Sequence, residues 1–128
     1  VSHLLFIFLG GGLGAISRFG LDHGLHKLTR VHAFPIGILA CNLLGCFLIG
    51  CAVSYATKAA PTWFAPLIIT GFLGGFTTFS TFSKDSLHLF GDGHSTLALA
   101  NILLSVVPGV IAVWLGMKVT GFPGPLTP

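Results

Sequence analysis

The sequence predicts an all-α integral membrane protein with four membrane-spanning helices. Three observations carry that prediction. Only nine of 128 residues are charged, 7% against about 25% in an average soluble domain. Hydrophobic residues make up 53% of the chain, and its mean hydropathy is +0.94. Residues 1–17, 31–57, 59–83 and 93–117 carry no charge at all, and a spanning helix needs about 20 apolar residues. So few charges cannot clothe a water-soluble surface, and disorder requires low hydrophobicity with high net charge. A net charge of +3 with a pI near 9.0 would suggest nucleic acid for a soluble protein. Here the Lys and Arg residues fall mostly near segment ends, as interface anchors do. A lipid membrane is therefore the expected surrounding, and no nucleic-acid partner is expected.

The first span is expected over about 3–26. No basic region precedes its apolar run and no small-residue cleavage site ends it, so it reads as a span and not as a cleavable leader. Gly10 and Gly14 have the spacing that lets helices approach closely. Arg18 and Asp22 lie four residues apart on one face. They form either an intrahelical pair or a means of holding Arg18 at the mouth of a water-filled vestibule. His23 and His26 are placed at a water-exposed helix end in preference to a metal site.

The second span is expected over about 34–56, with Pro35 in its first turn. Asn42 lies within it, and its amide is costly to leave facing lipid. Gly37, Gly45 and Gly50 suggest tight packing. Cys41, Cys46 and Cys51 are each rotated about 140° from the last, so they share no face and read as small packing residues.

The third span, about 61–89, departs from an ordinary one. Thr70–Ser83 holds three glycines and six hydroxyl residues around four phenylalanines. Adjacent Gly74 and Gly75 weaken a helix, and irregular backbone survives at membrane depth only where protein or a water-lined cavity satisfies it. A break near Gly74–Thr78 is expected. The fourth span, about 95–118, puts Asn101 and Ser105 on one face and carries Pro108-Gly109, where a kink is expected. Residues 119–128 form a Pro- and Gly-rich tail expected to be poorly ordered. The whole chain, 1–128, reads as one four-helix membrane domain.

With four spans, Lys58 and Lys118 fall on one side and Lys27, Arg30 and Lys84 on the other. Orientation is set by such a bias, and here it is nearly absent. Insertion in both directions is expected, and with it an antiparallel, dual-topology homodimer.

Catalysis finds little support. No acid lies at a span centre, and no histidine is placed at depth to activate the serines and threonines. A transport route fares better. Asn42, Thr77, Thr78, Ser80, Thr81, Ser83, Asn101 and Ser105 supply neutral donors, which suit an anion better than a cation. Phe79 and Phe82 share a helical face, and the positive edges of their rings can replace part of an anion's hydration. Two other readings compete: a dual-topology exporter of small organic cations, which lacks an acid in the first span, and a non-transporting helical scaffold, which would waste the polar third span. No GxxxxGK[ST] motif is present, so passive movement is expected.

Gly71-Phe-Leu-Gly-Gly-Phe-Thr-Thr-Phe-Ser-Thr-Phe-Ser83 resembles the signature of the CrcB/Fluc fluoride channels. The glycine-rich run ending in Arg18-Phe19, the stretch Phe34–Gly45 around Asn42, and the fourth span with Asn101 and Ser105 fit in order. The resemblance implies a fluoride-exporting channel that lowers cytoplasmic fluoride, multi-pass in the bacterial inner membrane, with two pores per antiparallel homodimer. It implies that Phe79 and Phe82 face the permeating fluoride and that Asn42 donates to it. Ser80, Thr81 and Ser105 would belong to the polar track, and Arg18 to the vestibule. It further implies a structural sodium ion at the dimer interface, held by the backbone carbonyls of Gly74 and Thr77. The chain departs from the family pattern at Ile38, where threonine is common, at Asp85, where glutamate is usual, and at Pro108, where a small residue is usual.

Overall fold

A computed structural model describes residues 1–122, so the expected behaviour of 123–128 lies outside the described residues. Helix α1 spans Ser2–Thr29 and stops at Arg30, whose left-handed backbone (φ 54°) lets its N–H reach His26 O at 3.0 Å. Helix α2 spans Ile36–Ala59, directly behind Pro35. The third segment is composite. A π-helix, Ala65–Leu73, runs into the single turn of α3, Gly74–Phe76. Thr77 (φ −90°, ψ 153°) and Thr78 (φ −152°, ψ 115°) are extended, and α4 begins at Phe79 and ends at Gly91. Helix α5, Ser95–Val119, continues through Pro108.

Four helical segments are long and apolar enough to cross a membrane: Ser2–Thr29, Ile36–Ala59, Ala65–Gly91 and Ser95–Val119. No strand occurs among the described residues. The most polar of the four is the composite one, because it holds the Thr/Ser run.

Small residues set the packing. α1 lies along the π-helix and α3, while α2 lies along α5. Gly10 and Gly14 rest on the backbone of Leu67 and Phe72, and Gly75 rests on that of Gly11. On the other side Gly50 meets the backbone of Val113 and Gly116 that of Phe47. Between membrane helices there is no water to expel, so association depends on close van der Waals contact, which a Cβ at these positions would prevent. The buried side chains are few, among them Ile38, Cys41, Leu73, Phe76, Phe82 and Leu89. Phe8, Leu13, Ile16, Leu103 and Val110 face outward. That outward apolar surface suits hydrocarbon, and the helices need bury only one side.

Candidate functional site

The extended pair Thr77–Thr78 organises the site. An α-helix continuing through it would pair each N–H with the carbonyl four residues back. The N–H of Thr78 turns instead to Asn42 Oδ1 at 2.8 Å, and Asn42 Nδ2 donates to the carbonyl of Thr78 at 3.2 Å. One side-chain amide from α2 thus satisfies both backbone groups of Thr78. The carbonyl of Gly74 thereby loses its helical donor. The carbonyl of Thr77 takes only a long hydrogen bond, 3.4 Å, from the guanidinium of Arg18.

Thr78 also starts the next helix. Its hydroxyl accepts the N–H of Thr81 at 3.3 Å as an N-cap and lies 3.2 Å from the hydroxyls of both Ser80 and Thr81. Hydroxyl side chains favour such caps because they satisfy an orphan N–H. Two hydroxyls bond only locally, Thr77 to Leu73 O and Ser83 to Phe79 O, and Ser86 makes the same kind of bond to Phe82 O. These are the ordinary back-bonds of Ser and Thr in helices.

A groove of about 330 Å³ runs beside the break. Asn42, Thr77, Thr78, Phe79, Phe82 and Ser105 contribute its polar and aromatic lining, with Gly74 and Cys46 alongside. No charged side chain lines it. The hydroxyl oxygen of Ser105 is buried there without a hydrogen-bond partner. The two phenylalanines differ sharply: Phe82 is 8% exposed and Phe79 78%, with ring centroids 5.4 Å apart and planes tilted by 49°.

A second hollow of about 320 Å³ opens where the C-terminal ends of α1 and α4 meet the start of α2. Its charged mouth is lined by Asp22, His26, Lys84, Asp85, His88 and Asp92 among others. Thr81 and Ile38 line it as well; the Thr81 hydroxyl lies 3.2 Å from that of Thr78, which lines the groove, and Ile38 stands one helical turn before Asn42 on α2. Two of the three departures from the family pattern, Ile38 and Asp85, line this hollow.

The residues singled out from sequence therefore divide. Asn42, Phe79, Phe82, Ser105, Gly74 and Thr77 gather at the groove. Thr81 faces the mouth, and Ser80 is exposed. Arg18 lines neither hollow and stands half-buried against Thr77 O. Arg18 forms no ion pair with Asp22. Instead His26 Nδ1 lies 2.9 Å from the carbonyl of Asp22 and 3.1 Å from its Oδ1. Asn101 is 1% exposed and bonded to Ser86, away from the groove. Cys41, Cys46 and Cys51 are free thiols, and no His, Cys, Asp or Glu cluster suited to a metal ion occurs among the described residues. Sequence reasoning missed the backbone role of Thr78 and the part played by Ser86. A serine and an asparagine in consecutive apolar spans was the available signal for the latter.

Comparison with known proteins fits this picture. The family described as "CrcB-like protein, Camphor Resistance (CrcB)" matches residues 5–117. A protein of Francisella philomiragia subsp. philomiragia named "Fluoride-specific ion channel FluC" is 43% identical, over 88% of this chain and 90% of its own. Proteins of the same name from Serratia proteamaculans and Magnetococcus marinus are 44% and 41% identical, covering 87% and 91% of this chain and 87% and 95% of theirs. These relatives are named as ion channels, not enzymes, and four helices able to span a membrane agree with a multi-pass membrane protein. On this match the chain belongs to the CrcB-like family.

Proposed function

We propose that the chain forms a passive, fluoride-selective channel that lets fluoride leave the cell and so lowers cytoplasmic fluoride. The observation that carries the reading is the groove: a few neutral donors and two aromatic rings among apolar side chains, free of charge, in a chain of four membrane-capable helices. A bare anion in a low-dielectric interior costs tens of kcal/mol. Amide, hydroxyl and aromatic-edge donors offset that cost without the trap that a fixed cation would set. Asn42 spends one amide hydrogen on Thr78 O and keeps the other. Ser105 keeps its hydroxyl unclaimed. The N-terminus of α4, beginning at Phe79 beside the groove, adds partial positive charge. The Thr78 and Thr81 hydroxyls carry the polar line on to the mouth.

The working unit in this reading is an antiparallel homodimer with two pores, in the bacterial inner membrane. The balanced charges support dual insertion. Phe79, 78% exposed beside the groove, supports a second copy closing over it. A sodium ion at the centre of the dimer suits the donors present. Gly74 and Thr77 offer hard carbonyl oxygens released from helical pairing, and each chain would contribute both. When bound, such an ion supplies positive charge that offsets the converging carbonyl dipoles.

Liposomes loaded with fluoride, chloride or a small organic cation and carrying the purified chain test the reading. Rapid efflux of fluoride alone is expected. Absent fluoride efflux while chloride or the cation passes would overturn it, and no flux of any ion would favour a scaffold.

A further inference from the structure

Asn101 and Ser86 lie off the groove, yet both are buried, at 1% and 6% exposure. Asn101 Nδ2 donates to Ser86 Oγ at 2.9 Å, and Ser86 Oγ donates to the carbonyl of Phe82 at 2.8 Å. The tie that starts on α5 thus ends on the residue whose ring lines the groove. One helical turn beyond Asn101 on α5 stands Ser105, whose unclaimed hydroxyl lines the same groove as Phe82. A serine bonded to the carbonyl four residues back is normally a local matter. Here its remaining lone pairs also take an amide from the neighbouring helix.

Dispersion contacts between helices are weak singly and fix no direction. A hydrogen bond fixes both distance and angle. The tie is therefore suited to hold the register of α4 against α5, and with it the gap between Phe82 and Ser105. Small anions of equal charge differ chiefly in radius, so that gap bears on which of them passes.

We infer that Asn101 is a positioning residue. Through Ser86 it holds Phe82 against Ser105 and so sets the discrimination between fluoride and larger anions. The inference rests on the groove being the fluoride route. Its test uses the full chain in liposomes, with fluoride and chloride efflux measured beside thermal unfolding in detergent. Asn101→Leu and Ser86→Ala are each expected to lower the fluoride-to-chloride rate ratio by roughly 3-fold or more, the scale of one interhelical hydrogen bond in a membrane protein. The double variant should be no worse than either single one, and Ser86→Thr, which keeps the hydroxyl, should retain the ratio. Ser54→Ala is the control. Ser54 is fully buried and donates to Thr120 O at 3.4 Å, far from the groove, so its loss should lower stability and leave the ratio alone. Should Asn101→Leu fail to fold, Ser86→Ala decides, since it removes a single oxygen. An unchanged ratio in Ser86→Ala, or an equal fall in Ser54→Ala, overturns the inference while wild-type fluoride flux keeps the channel reading intact. A wild type that passes no fluoride overturns both.

Discussion

Asn42 and Thr78 lie 36 residues apart in sequence and exchange two hydrogen bonds, side-chain amide to backbone, at 2.8 and 3.2 Å. The amide does for an extended residue what a neighbouring strand does in a sheet. It makes an interrupted helix tolerable in surroundings with no water to satisfy a free N–H or C=O. It also leaves the second Nδ2 hydrogen of an amide that lines the groove unspent. Scaffold and site therefore share one side chain.

Replacing Asn42 should consequently show two losses together. Asn42→Leu keeps the branched shape and removes both bonds, leaving two backbone groups unpaired at a cost of about 2 kcal/mol or more. Thermal unfolding in detergent and liposome flux should both fall. Lost flux with unchanged stability would mean that the amide serves the ion alone.

The two phenylalanines should respond differently. Phe82 is buried in its own chain and Phe79 is not. Phe82→Ile is expected to abolish fluoride efflux while leaving a protein that elutes as the wild type does in size-exclusion chromatography. Phe79→Ile should alter flux with little change in unfolding temperature. Normal flux through Phe82→Ile would count against the ring-edge contribution.

Gly12 and Gly14 offer a contrast two residues apart. A Cβ on Gly14 would strike the backbone of Phe72, and one on Gly12 would meet nothing within 4 Å. Gly14→Ala should destabilise the fold by about 1–3 kcal/mol, the usual scale of overpacking. Gly12→Ala should stay within about 0.5 kcal/mol. Destabilisation at Gly12 would reveal a second surface resting on α1, which crosslinking would locate.

Dual insertion predicts equal populations. In a background with Cys41, Cys46 and Cys51 replaced, a cysteine in place of the exposed His94 should react with an impermeant thiol reagent from both sides of the membrane in equal amounts. Labelling from one side alone would sink the antiparallel homodimer, unless a partner chain of opposite orientation is present.

Composition alone determined that the chain is helical and suited to a membrane. Nine charges and four uncharged stretches leave few alternatives, because the burial cost of a charge is large and local. The thirteen-residue run Gly71–Ser83 sufficed to identify the family, since its residues are contiguous and their order survives without any fold. What it could not convey was which polar group answers which. Asn42 and Asn101 look alike in sequence, each a lone amide in an apolar span. Only the packing sends one to the backbone of Thr78 beside the groove and the other to Ser86 away from it. In the same way, Phe79 and Phe82 stand three residues apart on one helical face, yet only Phe82 is enclosed by its own chain. Helical spacing fixes how side chains stand relative to one another on a helix. Which of them meet a partner depends on how the helices cross, and in a chain apolar on nearly every side that is decided by glycine contacts and a few buried hydrogen bonds.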